Sequence, residues 1–470
     1  MKTTRRILAL ITVLALVLAM GTTAFAATIT VDAVKKGEEY SVYKVLDYTA
    51  ASTDEDAANE AFSYFLSKAD YEAKITIGGV EKTRGEWLIS VGFQFAASAD
   101  GSQYVVTNSA SLTGKGAELA EKITAIVPAL IHVDTATATD DEDVSFTGLA
   151  TGYYFVTSSM GSLCSLQTYD DEALVVEKNT VPTVDKTQSA SANGTYAETA
   201  LDVAIGDVVY YKAVVTDGAG TNEDIVLTDT MTDGLTLNAA SITIKNGETP
   251  VAADNYTLTT TDHGFVLTLK ASYVATLAEN AVVTITYNAT VNSAAVIDNA
   301  SANGNFIKIE YSKQSMTDNT IYVITYDFLL KKTDGTKALA GAEFNLYTAE
   351  TGGTPITFTK DTTGYYVSAT GNAKIEAGDG TGVNIRGLEP GTYYLEDTVA
   401  PDGYNKLAAR QPVVITAGAT AAVEVEVENQ AGTVLPSTGG MGTTIFYVLG
   451  GLMVLGALVV LVTNKRMRAN

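Results

Sequence analysis

One stretch near the C-terminus is suited to chemistry on the backbone itself, and it reads Leu435-Pro436-Ser437-Thr438-Gly439-Gly440. The proline holds the chain extended and cannot join a helix, and the paired glycines leave the neighbouring peptide bonds accessible. An apolar run over residues 444–463 follows and is about long enough to cross a bilayer as a helix. Residues 464–470 are basic, which matches the excess of Lys and Arg expected on the cytoplasmic side. The pattern therefore predicts a cleavable segment held just outside a membrane.

This order of motif, apolar span and basic tail resembles the LPxTG sorting signal of Gram-positive surface proteins. The resemblance implies that a sortase cysteine cuts between Thr438 and Gly439 and passes the Thr438 carbonyl to an amine. The pentapeptide alone is a weak signal, whereas the three parts in this order at a C-terminus are specific. Residues 431–443 then form the tether that carries the motif. The alternative is an ordinary membrane anchor that follows a Pro/Gly turn.

The N-terminus has the pattern of a secretory signal peptide, which we predict over residues 1–26. Three basic residues among the first six precede an apolar stretch, and Ala24-Phe25-Ala26 supplies the small residues of a cleavage site. The mature chain is expected to begin near Ala27 and, once sorted, to end at Thr438. We therefore expect an exported protein that is long enough for several domains.

Composition excludes several classes of function. The net charge is -24, whereas nucleic-acid binding requires clustered Lys and Arg, so no nucleic-acid partner is expected. The single cysteine, Cys164, cannot form an internal disulfide, and we predict a small buried apolar residue there. His132 and His263 are isolated, and neither metal-ligand spacing nor a Gly-rich phosphate loop occurs in the sequence. We predict no metal, no cofactor and no ordinary enzymatic activity.

Hydrophobic periodicity predicts three folded regions that are mainly β. Residues 27–180 mix strand-like runs with helical spacing at residues 57–69 and 116–130, so this region is expected to be α+β. Residues 181–325 are nearly all strand and turn, as expected for a β-sandwich. Residues 326–430 repeat this pattern and include a cleanly alternating VEVEV run, which predicts a strand with one buried face.

A second motif in the third region reads YYLEDTVAPDGY from Tyr393 to Tyr404 and resembles the E-box of Gram-positive pilins, YxLxETxAPxGY. Asp397 stands where the family has Glu, and Glu396 lies one residue earlier. On a strand, Leu395 and Asp397 share a face while Glu396 points the other way. We therefore predict Asp397 as the inward acid, with Glu396 as the alternative.

The rest of the third region resembles the CnaB fold of pilins and collagen-binding adhesins. Phe328, Leu330 and Lys332 share one face of what looks like its first strand. The segment that ends in Asn429 looks like its last strand. The resemblance implies an amide between the Lys332 amine and the Asn429 side-chain carbonyl, formed with loss of ammonia and promoted by Asp397. The alternative is a solvated Lys and Asn at strand ends.

Burial explains how such a bond could form. An amine among apolar groups loses its proton more readily, since desolvation disfavours charge, and it then becomes a nucleophile. A buried carboxylic acid stays protonated for the same reason, so it can donate to the Asn carbonyl and relay protons. Packing supplies the proximity. An amide between first and last strands would limit unfolding as a disulfide across a long loop does.

The middle region resembles the CnaA-like domain of shaft pilins. PTVDK places Lys186 in the first strand, LTDTM supplies Asp229 as the acid, and NFIKIEYS supplies Asn305 as the partner of the lysine. Asn303 lies on the same strand face as Asn305, so the pattern leaves both open. The alternative is a plain Asp turn with surface Asn residues.

The first and third regions share a short similarity. GLATGYY at residues 148–154 matches GLEPGTY at residues 387–393 without a gap, which suggests part of a common plan. At the equivalent of Asp397 the first region has Ser158. Without an acid at this position, we predict no amide bond in the first region.

Lys178 lies at the boundary between the first two regions, in the sequence VVEKN. In shaft pilins this place holds the pilin motif, which often ends YPKN and whose lysine accepts the Thr carbonyl of the next subunit. Lys178 and Asn179 fit, whereas Glu177 replaces the proline. A solvated linker lysine is the alternative. Lys186 is less suitable as an acceptor, because its amine is expected to be consumed inside the middle domain.

These resemblances imply a sortase-assembled pilus shaft pilin with tandem immunoglobulin-like (CnaA/CnaB-type) β-sandwiches after a mixed α+β N-terminal domain. Thr438 of one subunit is expected to join Lys178 of the next. The expected partners are a sortase, identical subunits and peptidoglycan, with minor pilins and host-surface ligands as further candidates. The expected location is the cell wall or pilus of a Gram-positive bacterium, reached through a transiently membrane-anchored precursor. The alternatives are a monomeric anchored adhesin that binds a host ligand, and a minor pilin at the base or tip.

Overall fold

The structure is a computed structural model, and it describes residues 27–50, 62–112, 115–162, 166–168, 172–220, 222–318, 320–378, 381–432 and 442–468. The chain divides into two compact units. The first extends to Asp327 and also includes Arg386–Pro390 and Thr416–Ala421, and the second contains the remaining described residues. The predicted signal peptide, the sorting motif and Cys164 lie outside the described residues.

The first region of the chain mixes strands and helices, as predicted. Its strands are β1 (Ala27–Asp32), β2 (Glu39–Ala50), β3 (Phe62–Ser67), β4 (Lys74–Ile77), β5 (Val80–Thr83), β6 (Phe95–Ala97), β7 (Gln103–Val106), β8 (Ile131–Thr137), β9 (Val144–Leu149), β10 (Gly152–Ser158), β11 (Gly161–Ser162), β12 (Leu166–Thr168) and β13 (Glu172–Val176). Its helices are α1 (Lys68–Glu72), α2 (Arg84–Ser90), α3 (Ser109–Leu112) and α4 (Gly116–Thr124), with a 3₁₀ turn at Val127–Ala129. The sheet orders are β13-β1-β9 and β11-β10-β2-β3-β7-β6, with β12 on β10 and β8 on β2, and β4 and β5 form a separate hairpin.

One helix predicted in this region is wrong. The spacing predicted a helix over residues 57–69, but the segment is strand β3 from the first described residue, Phe62, to Ser67. Tyr64 and Leu66 are buried and their neighbours are more exposed, which is the two-residue period of a strand. Pairing of β3 with β2 and β7 outweighs the local helical spacing. The second predicted helix, residues 116–130, corresponds to α4 and the following 3₁₀ turn.

The middle region is a sandwich of two antiparallel-rich sheets. Its strands are β14 (Thr183–Ser189), β15 (Leu201–Asp202), β16 (Val208–Thr216), β17 (Ile225–Met231), β18 (Leu235–Leu237), β19 (Thr243–Asn246), β20 (Thr249–Pro250), β21 (Tyr256–Thr261), β22 (Gly264–Leu269), β23 (Val282–Val291), β24 (Asn303–Tyr311), β25 (Gln314–Thr317) and β26 (Ile321–Ile324). A short helix, α5 (Ala271–Val274), and 3₁₀ turns at Ala239–Ser241 and Ala253–Asn255 connect some of them. One sheet has the order β14-β16-β23-β19-β20 with β18 on β23, and the other has β15-β26-β24-β17-β22-β21 with β25 on β24.

Alternation along these strands decides which side chains enter the core. On β17 the buried positions are Ile225, Leu227, Asp229 and Met231. The strand pattern therefore places one carboxyl group among apolar side chains. The same alternation on β14 buries Lys186, so two charged groups lie inside a sandwich whose other inward residues are mainly apolar.

The C-terminal region is a second sandwich. Its strands are β27 (Tyr326–Thr333), β28 (Glu343–Tyr347), β29 (Phe358–Asp361), β30 (Gly364–Val367), β31 (Ile375–Glu376), β32 (Val383–Leu388), β33 (Gly391–Val399), β34 (Gln411–Ile415) and β35 (Val423–Glu428). The sheet orders are β29-β30-β32-β27-β35 and β31-β28-β33-β34. The first and last strands, β27 and β35, are parallel neighbours in which Lys332 pairs with Val427.

The short similarity between the first and third regions corresponds to the same local structure. In each case one strand ends, a turn follows, and the next strand begins, as β9 leads to β10 and β32 leads to β33. The leading glycines, Gly148 and Gly387, have φ values of 72° and 84°. Side chains with a Cβ rarely adopt this backbone, so glycine suits both positions.

The chain continues into a long helix, α6 (Gly442–Met467). Its segment Ile445–Met467 spans 23 residues with a mean hydropathy of 2.7, and none of its most apolar window is buried inside the chain. This helix is long and apolar enough to cross a membrane. It includes Lys465 and Arg466, so the helix extends further than the predicted apolar span. Positive side chains in a last turn are stabilised by the helix dipole.

Candidate lysine–asparagine sites

The middle sandwich brings Lys186, Asp229 and Asn305 together. Lys186 enters the core from β14, and Asp229 and Asn305 enter from β17 and β24 of the other sheet. The two strands are in register so that Met231 pairs with Asn305 and Asp229 pairs with Ile307. All three polar side chains are buried, with exposed fractions of 3% or less.

Lys186 makes direct contacts with both partners. Its Nζ lies 2.6 Å from Oδ2 of Asp229, and both side chains of this ion pair are fully shielded from solvent. The same Nζ donates to Oδ1 of Asn305. A third group, the hydroxyl of Tyr287 on β23, donates to Oδ2 of Asp229. The acid and the carbonyl expected for amide formation are thus both within hydrogen-bond reach of the Lys186 amine.

Burial shifts both charged groups toward their neutral forms. Desolvation lowers the pKa of the Lys186 amine to about 8, although Asp229 acts in the opposite direction. Desolvation raises the pKa of the Asp229 carboxyl, although Lys186 acts against this shift. Removing both groups from water favours a neutral amine beside a protonated acid. That is the protonation state in which the amine is a nucleophile.

The structure separates the two asparagines that the sequence pattern left open. Asn303 is also buried, but its amide binds the backbone of Val296, accepting from N at 2.8 Å and donating to O at 2.7 Å. Of the two side chains, the one that contacts Lys186 is Asn305. Asn303 therefore holds a loop, and Asn305 occupies the position opposite the lysine.

The C-terminal sandwich brings Lys332, Asp397 and Asn429 into one buried region with a different arrangement. Asn429 donates from Nδ2 to Oδ2 of Asp397 at 2.8 Å. Lys332 Nζ donates instead to the backbone oxygens of Val427 at 2.7 Å and Thr333 at 3.2 Å. Oδ1 of Asn429 and Oδ1 of Asp397 are buried without a hydrogen-bond partner. Desolvation lowers the pKa of the Lys332 amine, with Asp397 acting against the shift.

The sequence neighbours of Lys332 and Asp397 face outward. Lys331 is partly exposed and pairs with Glu424 at 2.7 Å. Glu396 contacts Arg410 at 3.3 Å, away from the lysine. Asp397, in contrast, is buried. The alternation of the strands thus places Lys332 and Asp397 on the inward faces.

In the first region, Ser158 occupies the place of the acid. Its side chain is buried, accepts from the backbone N of Met160 at 3.1 Å, and hydrogen-bonds to Glu177. No hydrogen bond from a lysine side chain to Ser158 occurs among the described residues. The expectation that this region lacks an amide stays a prediction.

Lys178 lies between β13 and β14, and its side chain is exposed. Its two neighbours, Glu177 and Asn179, are buried. The backbone N of Asn179 donates to Oε1 of Glu177 at 2.8 Å, and burial is the main cause that raises the pKa of this carboxyl. The segment is therefore held in place on both sides of a solvent-accessible amine.

Three family models match the chain in the order of these regions. Residues 205–315 match a Gram-positive pilin backbone subunit with a Cna-B-like domain, residues 327–431 match a prealbumin-like fold domain, and residues 427–467 match the LPXTG cell wall anchor motif. Residues 205–467 thus carry domains of the Gram-positive pilin type followed by a cell wall anchor. The anchor motif places the chain at the cell wall of a Gram-positive bacterium. Its middle domain, which resembled the CnaA-like type in sequence, thus matches a family described as Cna-B-like.

Solved pilin structures share the fold. The full-length RrgB pilus protein from Streptococcus pneumoniae has 16% sequence identity and a TM-score of 0.50, with 89% of this chain and 100% of that chain covered. The T6 backbone pilin of serotype M6 Streptococcus pyogenes has 14% identity and a TM-score of 0.52, with 84% and 81% covered. Among curated proteins the chain has no significant sequence match.

Sequence reasoning missed Tyr287, whose hydroxyl contacts Asp229. Its strand, β23, carries no motif, and the tyrosine is one of five inward residues in a regular alternation. In the sequence, the only sign of a special role for this tyrosine is that its polar hydroxyl falls at an inward position of the strand. Among the described residues, no group of His, Cys, Asp and Glu side chains is placed to hold a metal ion.

Proposed function

We propose that this chain is the shaft pilin of a covalent pilus and that it carries two internal amide bonds. A sortase joins Thr438 of one subunit to Lys178 of the next. Lys186 joins Asn305 within the middle sandwich, and Lys332 joins Asn429 within the C-terminal sandwich. The observation that supports this most directly is the solvent-free contact of the Lys186 amine with both Asp229 and Asn305.

The internal reaction needs no cofactor. Lys186 passes a proton to Asp229, and the neutral amine then attacks Cγ of Asn305. The carboxyl proton goes to Nδ2, the bond from Cγ to Nδ2 breaks, and ammonia leaves. The second amine proton then passes to the Asp229 carboxylate. Proximity and desolvation promote the reaction, because the amine and the amide are held in contact in a core that excludes water.

The C-terminal reaction requires one movement first. The Lys332 amine must leave the carbonyl of Val427 and turn to the side chain of Asn429, two residues further along the chain. The unpartnered Oδ1 of Asn429 is the acceptor for the amine, and Asp397 already contacts Nδ2. We therefore expect this amide to form as well, by a reaction in which the side chain of Lys332 changes rotamer.

The test is the intact mass of the mature chain, residues 27–438, followed by peptide mapping. Two amides lower the mass by two ammonia molecules, about 34 Da. Cross-linked peptides that join Lys186 to Asn305 and Lys332 to Asn429, with Lys178 unmodified, are the expected result. A mass equal to the value calculated from the sequence would remove the internal amides from the proposal and favour a plain wall-anchored surface protein.

A further inference from the structure

The hydroxyl of Tyr287 connects the acid of the middle site to the nitrogen that must leave. It donates to Oδ2 of Asp229, and it accepts from Nδ2 of Asn305 at 3.4 Å. The tyrosine is buried, with an exposed fraction of 2%. Since Nδ2 is the atom that departs as ammonia, Tyr287 touches a reacting atom of the proposed reaction.

Breaking an amide requires a proton on the leaving nitrogen, and in the described part of the middle site no carboxyl group hydrogen-bonds to that nitrogen. Oδ2 of Asp229 binds Lys186 and Tyr287, and Oδ1 of Asp229 is buried without a partner. Among the described residues, Asp229 therefore makes no hydrogen bond to Asn305. The connection from the acid to Nδ2 passes through the Tyr287 hydroxyl.

The C-terminal site provides an internal contrast. There, Nδ2 of Asn429 contacts Oδ2 of Asp397 directly at 2.8 Å. An acid in that position can protonate the leaving nitrogen without an intermediate group. The two sites of one chain thus differ in whether a hydroxyl stands between acid and amide.

We propose that Tyr287 is a catalytic residue that relays a proton from Asp229 to the leaving nitrogen of Asn305. This rests on the proposed function, in which Lys186 and Asn305 form an amide. After Lys186 has protonated Oδ2 of Asp229 and attacked Cγ, Asp229 gives this proton to the tyrosine oxygen. Tyr287 gives its own proton to Nδ2, the bond from Cγ to Nδ2 breaks, and ammonia leaves. The remaining amine proton returns to Asp229, so Tyr287 ends the reaction unchanged.

The surroundings keep Tyr287 protonated and fixed. Burial, together with the nearby Asp229 carboxyl, raises its pKa well above the ordinary value for tyrosine. Its ring stacks on Tyr211 with centroids 5.3 Å apart and meets Phe265 edge-on at 5.1 Å. The contact to Nδ2 is long for a hydrogen bond, but contacts of this kind tighten when the reacting atoms move together.

The test compares Tyr287→Phe with Tyr211→Phe in the mature chain, residues 27–438. Tyr211 is equally buried and its hydroxyl also faces Asn305, but it makes no described hydrogen bond to Asp229. Unreacted chain is collected in urea from cell-free synthesis, refolding is started by dilution, and each amide is followed by peptide mapping. Proton transfer by a positioned side chain contributes about 10²- to 10⁴-fold to a rate. Tyr287→Phe is therefore expected to slow the Lys186–Asn305 amide at least about 100-fold.

The experiment distinguishes a failure of the proposed relay from a failure of the proposed function. The Lys332–Asn429 amide should form at the wild-type rate in both variants, which shows that the C-terminal sandwich refolds normally, while Tyr211→Phe controls for the loss of a buried hydroxyl in the middle sandwich. A Lys186–Asn305 amide that forms equally fast in Tyr287→Phe and wild type, or equally slowly in both variants, would overturn the relay. Absence of this amide from the wild-type chain would instead overturn the proposed function.

A second measurement needs no variant: the wild-type reaction should be slower in D2O, and equal rates in the two solvents would count against the relay.

Discussion

Lys186 and Asn305 lie on strands of opposite sheets, and the Lys186 amine donates to the Asn305 side-chain oxygen across the core of the middle sandwich. Lys332 and Asn429 are arranged differently. Lys332 lies on β27, and Asn429 follows directly after β35. These two strands are parallel neighbours in one sheet. An amide in the middle sandwich would tie two sheets together, whereas an amide in the C-terminal sandwich would tie two strands of one sheet.

Replacing Asn305 should remove the middle amide and lower the stability of that domain. We expect Asn305→Ala to lack one ammonia loss of about 17 Da. The two linked residues are 119 positions apart. By the chain-entropy estimate, a covalent loop of this size adds about 5 kcal/mol to the free energy of unfolding. Loss of the amide should therefore lower the melting temperature by about 10–20 °C.

Asn303→Ala is the matched control for Asn305→Ala, because both residues are buried inward asparagines of β24. We expect Asn303→Ala to keep the ammonia loss and to lose its hydrogen bonds to the backbones of Val296 and Val323. Intact mass and calorimetry check both variants. An ammonia loss that disappears in Asn303→Ala and persists in Asn305→Ala would contradict the assignment of Asn305.

Adjacent lysines on β27 should behave in opposite ways. We expect Lys332→Ala to abolish the C-terminal amide, whereas Lys331→Ala should leave it intact, because the Lys331 side chain lies outside and pairs with Glu424. Exposed ion pairs contribute about 0–1 kcal/mol, so Lys331→Ala should melt close to the wild type. Peptide mapping and thermal melting measure the two effects. Equal losses of cross-linked peptide in both variants would show that the strand face has been assigned wrongly.

Polymerisation should depend on Lys178. We expect Lys178→Arg to remain monomeric when the pilin is expressed with its sortase, because arginine stays protonated and cannot act as the accepting amine. Lys36→Arg is the control, since Lys36 is an exposed lysine of the same region. The readout is the ladder of covalent multimers on a denaturing gel. A ladder in Lys178→Arg that matches the wild type would move the acceptor elsewhere and favour an adhesin anchored as a monomer.

The stability of the chain should fall between pH 5 and pH 8 because of Asp298. Burial is the main cause that raises the pKa of Asp298 to about 7, and its hydrogen bond to Asp327 adds to this shift. Above pH 4, the unfolded chain has released the Asp298 proton, whereas the folded chain still holds it. The contribution of this proton to the free energy of unfolding is therefore complete at low pH and is lost as the pH rises through 7. We expect a lower melting temperature at pH 8 than at pH 5.

Asp298→Asn isolates this effect, because its amide can still donate toward Asp327 at every pH. We expect the variant to melt above the wild type at pH 8 and to show a smaller difference between the two pH values. Calorimetry of both proteins at pH 5 and pH 8 is sufficient. A pH difference in Asp298→Asn as large as that of the wild type would assign the effect to other groups.

Sequence patterns located the polar residues of the two sandwiches but not their contacts. The two-residue period of a strand predicts that Lys332 and Asp397 face inward, because it depends only on local geometry. It does not distinguish Asn303 from Asn305, which lie on the same face. That distinction depends on Val296, a residue on a neighbouring loop that binds the Asn303 amide.

The acceptors of the Lys332 amine and the contacts of Tyr287 could not be predicted from the sequence either. Which oxygen a buried amine contacts depends on distances of a few tenths of an ångström between strands, and no motif records them. The helix predicted over residues 57–69 is wrong at Phe62–Ser67 for a similar reason. Pairing with two neighbouring strands determines the structure of β3, and these neighbours are distant in sequence.

The covalent path between Lys186 and Asn305 has a consequence for a damaged pilus. With the proposed amide in place, the residues between these two positions form a closed ring inside the main chain. A protease that cuts once within the ring, for example at the exposed turn beside Glu248, opens the ring but leaves both ends of the domain joined through the side chains. The fibre then remains one molecule, and the cut is visible only as a gain in mass of one water molecule.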